Sequence, residues 1–174
     1  GKTLTSFKAA QNLMALPKVE KVVFVVDRAD LDDQTVREFN AFKEDSVDQT
    51  DNTRVLVDRL TDPTVRLVIT TIQKLNKAIS PGRYAGPMEA IKDGRVVFIF
   101  DECHRSQFGD THRRIVDFFP RAQLFGFTGT PILVPNAIGR RTTADLFGDR
   151  LHTYVITDAI RDRNVLRFSV EYMG

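Results

Sequence analysis

Four short apolar runs dominate the pattern of hydrophobic and polar positions along the chain. They lie at residues 22–26, 67–69, 96–100 and 124–127 and are rich in β-branched and aromatic side chains. Most of their positions are apolar in succession, which is typical of strands that are covered on both faces of a parallel sheet. We therefore expect a mainly parallel sheet with helices packed on both sides.

Amphipathic stretches lie between these runs. Apolar residues spaced three and four apart predict helices at residues 3–16, 31–42 and 111–119, and a further helix that follows Thr71 and ends at Pro81. Strands that alternate with helices form βαβ units, whose crossovers are right-handed. The predicted fold class is therefore α/β, a three-layer α/β/α sandwich.

The rest of the chain carries weaker patterns. Residues 43–52 are polar and acidic without a hydrophobic period, and we interpret them as a solvated loop. Near the C-terminus the sequence predicts a short helix at residues 158–163 and a strand at residues 166–172. Because domains commonly have roughly 100–200 residues, we expect residues 1–174 to form one domain.

Composition excludes several classes of protein. Hydrophobic residues make up 42% and charged residues 28% of the chain, so it is not a disordered polypeptide. The net charge of +2 is too small to indicate nucleic-acid binding by itself. The single cysteine excludes an internal disulfide and argues against a structural zinc site. No apolar run reaches the roughly 18 residues that span a membrane, so we expect a cytoplasmic protein.

The first three residues carry a possible phosphate-binding motif. Gly1-Lys2-Thr3 precedes the first predicted helix and matches the end of the loop GxxxxGK[ST]. In that loop the backbone N–H groups and the lysine hold phosphates, and the hydroxyl binds Mg²⁺. A chance tripeptide at a helix start is the alternative. Because the chain lacks an initial methionine, we interpret it as part of a longer polypeptide, beginning inside the phosphate loop.

An acidic pair follows the third apolar run. Residues 96–100 lead directly into Asp101 and Glu102, and ligands of open α/β sheets bind at the carboxyl ends of the strands. Carboxylates at the end of an apolar strand are costly unless something uses their charge. Beside a phosphate loop, Asp101 would hold Mg²⁺ and Glu102 would orient and deprotonate a water molecule. The alternative is that both acids cap the next helix.

Small hydroxyl residues follow the fourth run. Thr128 and Thr130 precede Pro131, and His104 is the candidate partner for their hydroxyls at the end of the neighbouring strand. Such a link would pass the state of a bound nucleotide to the surface. An ordinary hydroxyl turn ahead of the proline is the alternative.

The first two runs also end in polar residues. Arg28 follows one run, and Thr71 and Gln73 follow the other. Hydroxyl, amide and basic groups of this kind commonly contact the phosphates of nucleic acids. For Arg28 a solvated surface charge is the alternative.

In order along the chain, the motifs GKT, VVDRADL, TTIQKL, DECH and FTGTP resemble those of the first domain of superfamily 2 helicases and translocases. More narrowly, VVDRADLDDQT, VVFIFDECHRSQFGD, FGFTGTPI and LHTYVITDAIRDRNVL resemble the motor region of the restriction (R) subunit of type I restriction-modification enzymes. This resemblance covers nearly the whole chain. It implies a RecA-like, ATP-dependent motor domain that translocates double-stranded DNA, in complex with modification and specificity subunits, before the DNA is cleaved.

The resemblance also implies a role for each candidate residue. The implied roles are ATP phosphate contact for Gly1, Lys2 and Thr3, Mg²⁺ binding for Thr3 and Asp101, hydrolysis for Asp101 and Glu102, coupling for His104, Thr128 and Thr130, and DNA contact for Arg28, Thr71 and Gln73.

Three features of the family are missing from these residues. The glycine-rich residues before Gly1 and the strand that leads into them are absent, so the phosphate loop is incomplete. The second RecA-like domain, which supplies arginines to the transition state in the superfamily, is also absent, and so is the nuclease motif. We therefore expect weak or no ATP hydrolysis by this chain alone. Two other interpretations stay open: another superfamily 2 DNA helicase or remodeller, and an interaction module that keeps the fold without binding nucleotide.

Overall fold

The computed structural model describes residues 2–26, 52–103, 108–137 and 142–166, with the backbone alone at residues 2–4, 108 and 109. The strands are β1 (Lys21–Val26), β2 (Leu67–Thr71), β3 (Val96–Phe100) and β4 (Gln123–Gly126). The helices are α1 (Lys2–Met14), α2 (Thr53–Thr61), α3 (Ile72–Ile79), α4 (Ala85–Lys92), α5 (Phe108–Phe118), α6 (Thr143–Phe147) and α7 (Ile156–Arg161), and a 3₁₀ turn spans Val134–Asn136.

The four strands form one parallel sheet in the order β2-β1-β3-β4. Val25 of β1 pairs with Thr70 on one side and Phe100 on the other, and Phe100 pairs with Gly126 of β4. All four strands therefore end together at one edge of the sheet, which we call the carboxyl edge. The four apolar runs are confirmed as parallel strands, with shifts of at most two residues at their ends.

Helices cover both faces of this sheet. Alternation along β1 sends Phe24 toward α1, where the rings of Phe7 and Phe24 lie 6.5 Å apart. Val23 and Val25 point to the opposite face and join the core made with α2, α3, α4 and α5. The predicted three-layer α/β/α sandwich is confirmed.

Several predicted helices are confirmed with shifted ends. The helices predicted at residues 3–16, after Thr71, at 111–119 and at 158–163 correspond to α1, α3, α5 and α7. The helix predicted at residues 31–42 lies outside the described residues. So do all but Leu166 of the predicted C-terminal strand, and all but Asn52 of the predicted loop.

Three helices were missed by the sequence patterns: α2, α4 and the short α6. In α2 the buried residues are Thr53, Leu56, Val57 and Leu60, and the Asn52 side chain caps the helix by accepting the N–H of Arg54 at 2.9 Å. This spacing is a regular helical stripe that the adjacent polar segment obscured. In α4, Pro87 lies in the first turn, where the missing N–H breaks no helical hydrogen bond.

A buried lysine fixes α2 to the start of β1. Lys21 Nζ donates to the backbone oxygens of Arg59 at 3.1 Å, Asp62 at 2.8 Å and Val65 at 2.5 Å. These carbonyls lie at and just beyond the end of α2, where a helix leaves acceptors unsatisfied and favours positive charge. Lys21 therefore fastens the helical layer to the edge of the sheet opposite the carboxyl edge, which we call the amino edge.

Candidate active site

A tight turn carrying the acidic pair follows β3 at the carboxyl edge. The N–H of Asp101 donates to the oxygen of Val25 at 3.1 Å, and the N–H of Cys103 donates to the oxygen of Phe127 at 3.2 Å. Residues 101–103, which we call the acidic turn, are thus hydrogen-bonded to β1 on one side of β3 and to the residue after β4 on the other. Asp101 and Glu102 are half-buried.

The backbone of Glu102 is strained. Its φ angle is +48°, in the left-handed region that disfavours residues with a Cβ by roughly 1–2 kcal/mol. The Glu102 N–H donates to Asp101 Oδ1 at 3.0 Å, which links the two acids within the turn. Strained residues of this kind cluster at functional sites because the surrounding structure must hold them in place. No pattern in the sequence predicted this conformation.

The first turn of α1 is directed toward the same edge. Arg66, just before β2, donates from Nη2 to the oxygens of Leu16 at 3.3 Å and Val19 at 2.6 Å, so the end of α1 is fixed at the amino edge. From the Phe7–Phe24 contact, the helix extends about 7 Å further toward Lys2. The helix start that carries Lys2 and Thr3 therefore approaches the edge that carries the acidic turn.

The hydroxyl residues after β4 form a local turn. The N–H of Thr130 donates to Thr128 Oγ1 at 3.0 Å, the hydroxyl turn that sequence analysis gave as the alternative for this segment. Thr128 is half-buried and Thr130 is exposed. The chain just before them adjoins the acidic turn through Phe127. A link from either hydroxyl to His104 stays a prediction, because His104 lies outside the described residues.

The end of β2 combines a helix cap with unpartnered polar atoms. Thr71 is buried, 4% exposed, and its hydroxyl accepts the N–H of Lys74 at 3.4 Å as the cap of α3. Gln73 Oε1 is buried and has no hydrogen-bond partner in the described part of the chain, as is also true of Thr70 Oγ1 and Asn76 Oδ1. An unpartnered buried polar atom costs about 1–3 kcal/mol, so packing alone does not explain Gln73. DNA contact by Thr71 and Gln73 stays a prediction.

An aromatic side chain from α6 packs beneath the acidic turn. The Phe147 ring lies 6.0 Å from the Phe100 ring in an edge-on arrangement. A Cβ on Gly126 would lie 2.8 Å from Cys103 Sγ and 2.9 Å from two atoms of the Phe147 ring. Gly126 therefore leaves the space that lets Phe147 and Cys103 approach β4. Sequence analysis missed Phe147, although a glycine inside a strand can indicate such a close approach.

The carboxyl edge gathers most of the predicted site. It holds Asp101, Glu102, Thr128 and the end of β2 with Thr71, and the start of α1 is directed toward it. Gly1, Arg28 and His104 lie outside the described residues. In the described ranges, no helix is long and apolar enough to cross a membrane.

A parallel sheet with helices on both faces and carboxylates at its strand ends is the arrangement expected of a RecA-like α/β domain, since ligands of such sheets bind at the carboxyl ends of the strands. The sequence profile of the SWI2/SNF2 ATPases matches residues 1–174, and the chain belongs to this family.

Similar proteins carry the name of a restriction enzyme subunit. A type I restriction enzyme endonuclease subunit of Staphylococcus aureus (strain COL) is 56% identical over 175 residues, covering 100% of this chain and 19% of the relative. The corresponding subunit of strain MSSA476 is 55% identical with the same coverage. A HindI endonuclease subunit of Haemophilus influenzae is 30% identical over 93% of this chain and 16% of the relative. The chain thus spans about a fifth of the length of the Staphylococcus relatives.

Proposed function

We propose that this chain is the first RecA-like motor domain of a type I restriction endonuclease R subunit, which couples ATP hydrolysis to translocation along double-stranded DNA. The observation that carries the proposal is the acidic turn at the carboxyl edge, which is hydrogen-bonded to Val25 and Phe127. The first turn of α1 approaches the same edge. The SWI2/SNF2 family membership and the names of the relatives support the same function.

The donor groups at this edge fit ATP with Mg²⁺. Half-buried carboxylates of Asp101 and Glu102 supply the hard oxygen ligands that Mg²⁺ prefers. The start of α1 supplies free N–H groups and the positive end of a helix dipole, which favour phosphate. Bound Mg²⁺ would neutralise charge on the phosphates. Gly1, Lys2 and Thr3 would hold the phosphates, with Thr3 and Asp101 as the metal ligands.

Glu102 would act on the attacking water. A carboxylate within hydrogen-bond reach can orient a water molecule and accept its proton, a contribution of typically 10²- to 10⁴-fold in rate. The strained backbone holds this carboxylate one residue beyond Asp101. The two acids therefore divide the work, Asp101 binding the metal and Glu102 activating the water.

Movement along DNA would use the neighbouring strand ends. We assign the DNA track to Arg28, Thr71 and Gln73, and assign Thr128, Thr130 and His104 to coupling. The modification and specificity subunits are the proposed protein partners, and the cytoplasm is the proposed location. Residues 1–174 would be one domain of a longer polypeptide, because its relatives are about five times as long.

Replacing Glu102 tests this function in that longer polypeptide. Glu102→Gln keeps the shape of the side chain but removes the base, so DNA-stimulated ATP hydrolysis should fall about 100-fold or more while ATP binding persists. The matched control is Glu89→Gln, at an exposed residue of α4 that pairs with Lys92 at 3.3 Å.

Hydrolysis that survives Glu102→Gln would contradict the assignment of the base. A wild-type protein that binds no ATP with Mg²⁺ would instead support the nucleotide-blind interaction module. Steady-state phosphate release and equilibrium binding of a fluorescent ATP analogue separate these results.

A further inference from the structure

We propose that Phe147 is a positioning residue, which holds the acidic turn in its strained conformation and connects it to the chain that follows Thr130. This inference rests on the proposed function of Glu102 in ATP hydrolysis. It also makes a prediction about the turn itself that does not require hydrolysis to be observed.

The contacts of Phe147 place it directly against the acidic turn. Its ring packs edge-on against Phe100, the residue before Asp101, and shares the space above Gly126 with Cys103 Sγ. Cys103 is 3% exposed, so this side of the turn is closed to solvent. The side chain of Cys103, the last residue of the turn, and the Phe147 ring therefore lie side by side over Gly126 of β4.

The segment that carries Phe147 is fixed to the chain after β4. The N–H of Thr143 donates to the oxygen of Ile132 at 2.9 Å, and the N–H of Ile132 donates to Thr143 Oγ1 at 2.8 Å. These two bonds close the loop between Pro131 and the start of α6. A displacement of the residues around Thr130 would thus be transmitted to Phe147 through the two hydrogen bonds between Ile132 and Thr143.

The packing of Phe147 against the acidic turn matters because the backbone of Glu102 is strained. A residue with a Cβ keeps a positive φ angle only where its surroundings determine the backbone. Two backbone hydrogen bonds fix the ends of the turn, and the Phe147 ring fills the space on its buried side. Without the ring, a cavity would let Cys103 sink toward α6 and Glu102 relax to an ordinary φ angle.

Loss of Phe147 should therefore affect the chemical step and spare nucleotide binding. The start of α1, which would hold the phosphates, belongs to the opposite face of the sheet. Phe147 packs with the core on the other face. In the longer polypeptide, Phe147→Ala should lower kcat about 10- to 100-fold through misplacement of Glu102, with KM for ATP nearly unchanged. Phe147→Leu, which refills most of the space, should recover most of kcat.

The thiol of Cys103 reports on the turn independently of hydrolysis. Cys103 is the one cysteine of this sequence. Its reaction with a maleimide, followed by mass spectrometry of the peptide that contains it, measures how often the turn opens. Phe147→Ala should raise the labelling rate about tenfold under native conditions. Gly126→Ala should also raise the rate, because the added Cβ would lie 2.8 Å from Cys103 Sγ and 2.9 Å from the Phe147 ring and would displace both.

A control separates positioning from a general loss of stability. Phe118, partly buried, packs against Phe119 at 4.8 Å near the far end of α5. Phe118→Ala should destabilise the protein without accelerating Cys103 labelling at equal free energy of unfolding. Equal acceleration by Phe118→Ala, or unchanged labelling in Phe147→Ala, would overturn the proposal. If the wild type hydrolyses no ATP, the labelling result still decides it.

Discussion

Among the non-glycine residues that the structure describes, two have a positive φ angle, which a Cβ disfavours. Glu102 lies in the acidic turn, and Arg163, with φ +60°, follows α7. Arg163 lies just after the end of a helix, a position where glycine is the common residue. The N–H of Asn164, the next residue, donates to the oxygen of Ala159 at 2.8 Å. The same strain therefore occurs once at the candidate site and once far along the chain from it, which provides a matched comparison.

Glycine at either position should stabilise the fold. Glu102→Gly and Arg163→Gly each remove the Cβ that disfavours a positive φ, and each should raise the free energy of unfolding by about 0.5–1 kcal/mol. Urea denaturation monitored by circular dichroism measures the change. Glu102→Gly should abolish ATP hydrolysis in the longer polypeptide, whereas Arg163→Gly should leave it intact.

A fall in stability on Glu102→Gly would show that the carboxylate contributes more to the fold than its backbone costs. The position of the acidic pair at the carboxyl end of a strand was predictable from the sequence, because an apolar run leads directly into it. The φ angle of Glu102 was not, because it depends on bonds to Val25 and Phe127, which are distant in sequence.

At the scale of single elements, the attachment of α2 to β1 depends on Lys21. The residue is 5% exposed, and its ammonium group satisfies three carbonyl oxygens around the end of the helix. Its position in the strand gave no sign of this role, since a lysine at the start of an apolar run also fits a solvated strand end. The strands were predictable because their apolar runs are continuous. The helix α2 was missed because its start adjoins a long polar segment.

Lys21→Met tests this attachment. Methionine keeps the length of the side chain but leaves the oxygens of Arg59, Asp62 and Val65 without their donor, so the free energy of unfolding should fall by about 2–4 kcal/mol. Lys18→Met, at an exposed position before the same strand, should change it by less than about 0.5 kcal/mol. Equal effects of the two substitutions in thermal unfolding would show that the carbonyls do not need Lys21.

At the scale of the whole molecule, the parallel sheet brings residues from distant parts of the sequence to one edge. The ends of β1, β2, β3 and β4 lie together there because all four strands run in the same direction. This gathering was predictable from the alternation of strands and helices. The packing of Phe147 beneath the acidic turn was not, because the segment between β4 and α6 carries no hydrophobic period.

The 174-residue chain alone should hydrolyse ATP much more slowly than the longer polypeptide. Phosphoryl transfer depends on positioning and charge stabilisation, and groups from a second RecA-like domain are expected to complete both. We expect a turnover number at least about 100-fold lower, measured as phosphate release with saturating ATP, Mg²⁺ and DNA. Comparable turnover by the short chain would show that one domain is sufficient.

Lys21 and Arg66 make their contacts at the amino edge, and the strained Glu102 lies at the carboxyl edge. For a strand of six residues, these two edges are about 20 Å apart. Substitutions that far apart usually change the free energy of unfolding independently. The residues of the acidic turn can therefore vary while the contacts of Lys21 and Arg66 at the amino edge continue to stabilise the fold.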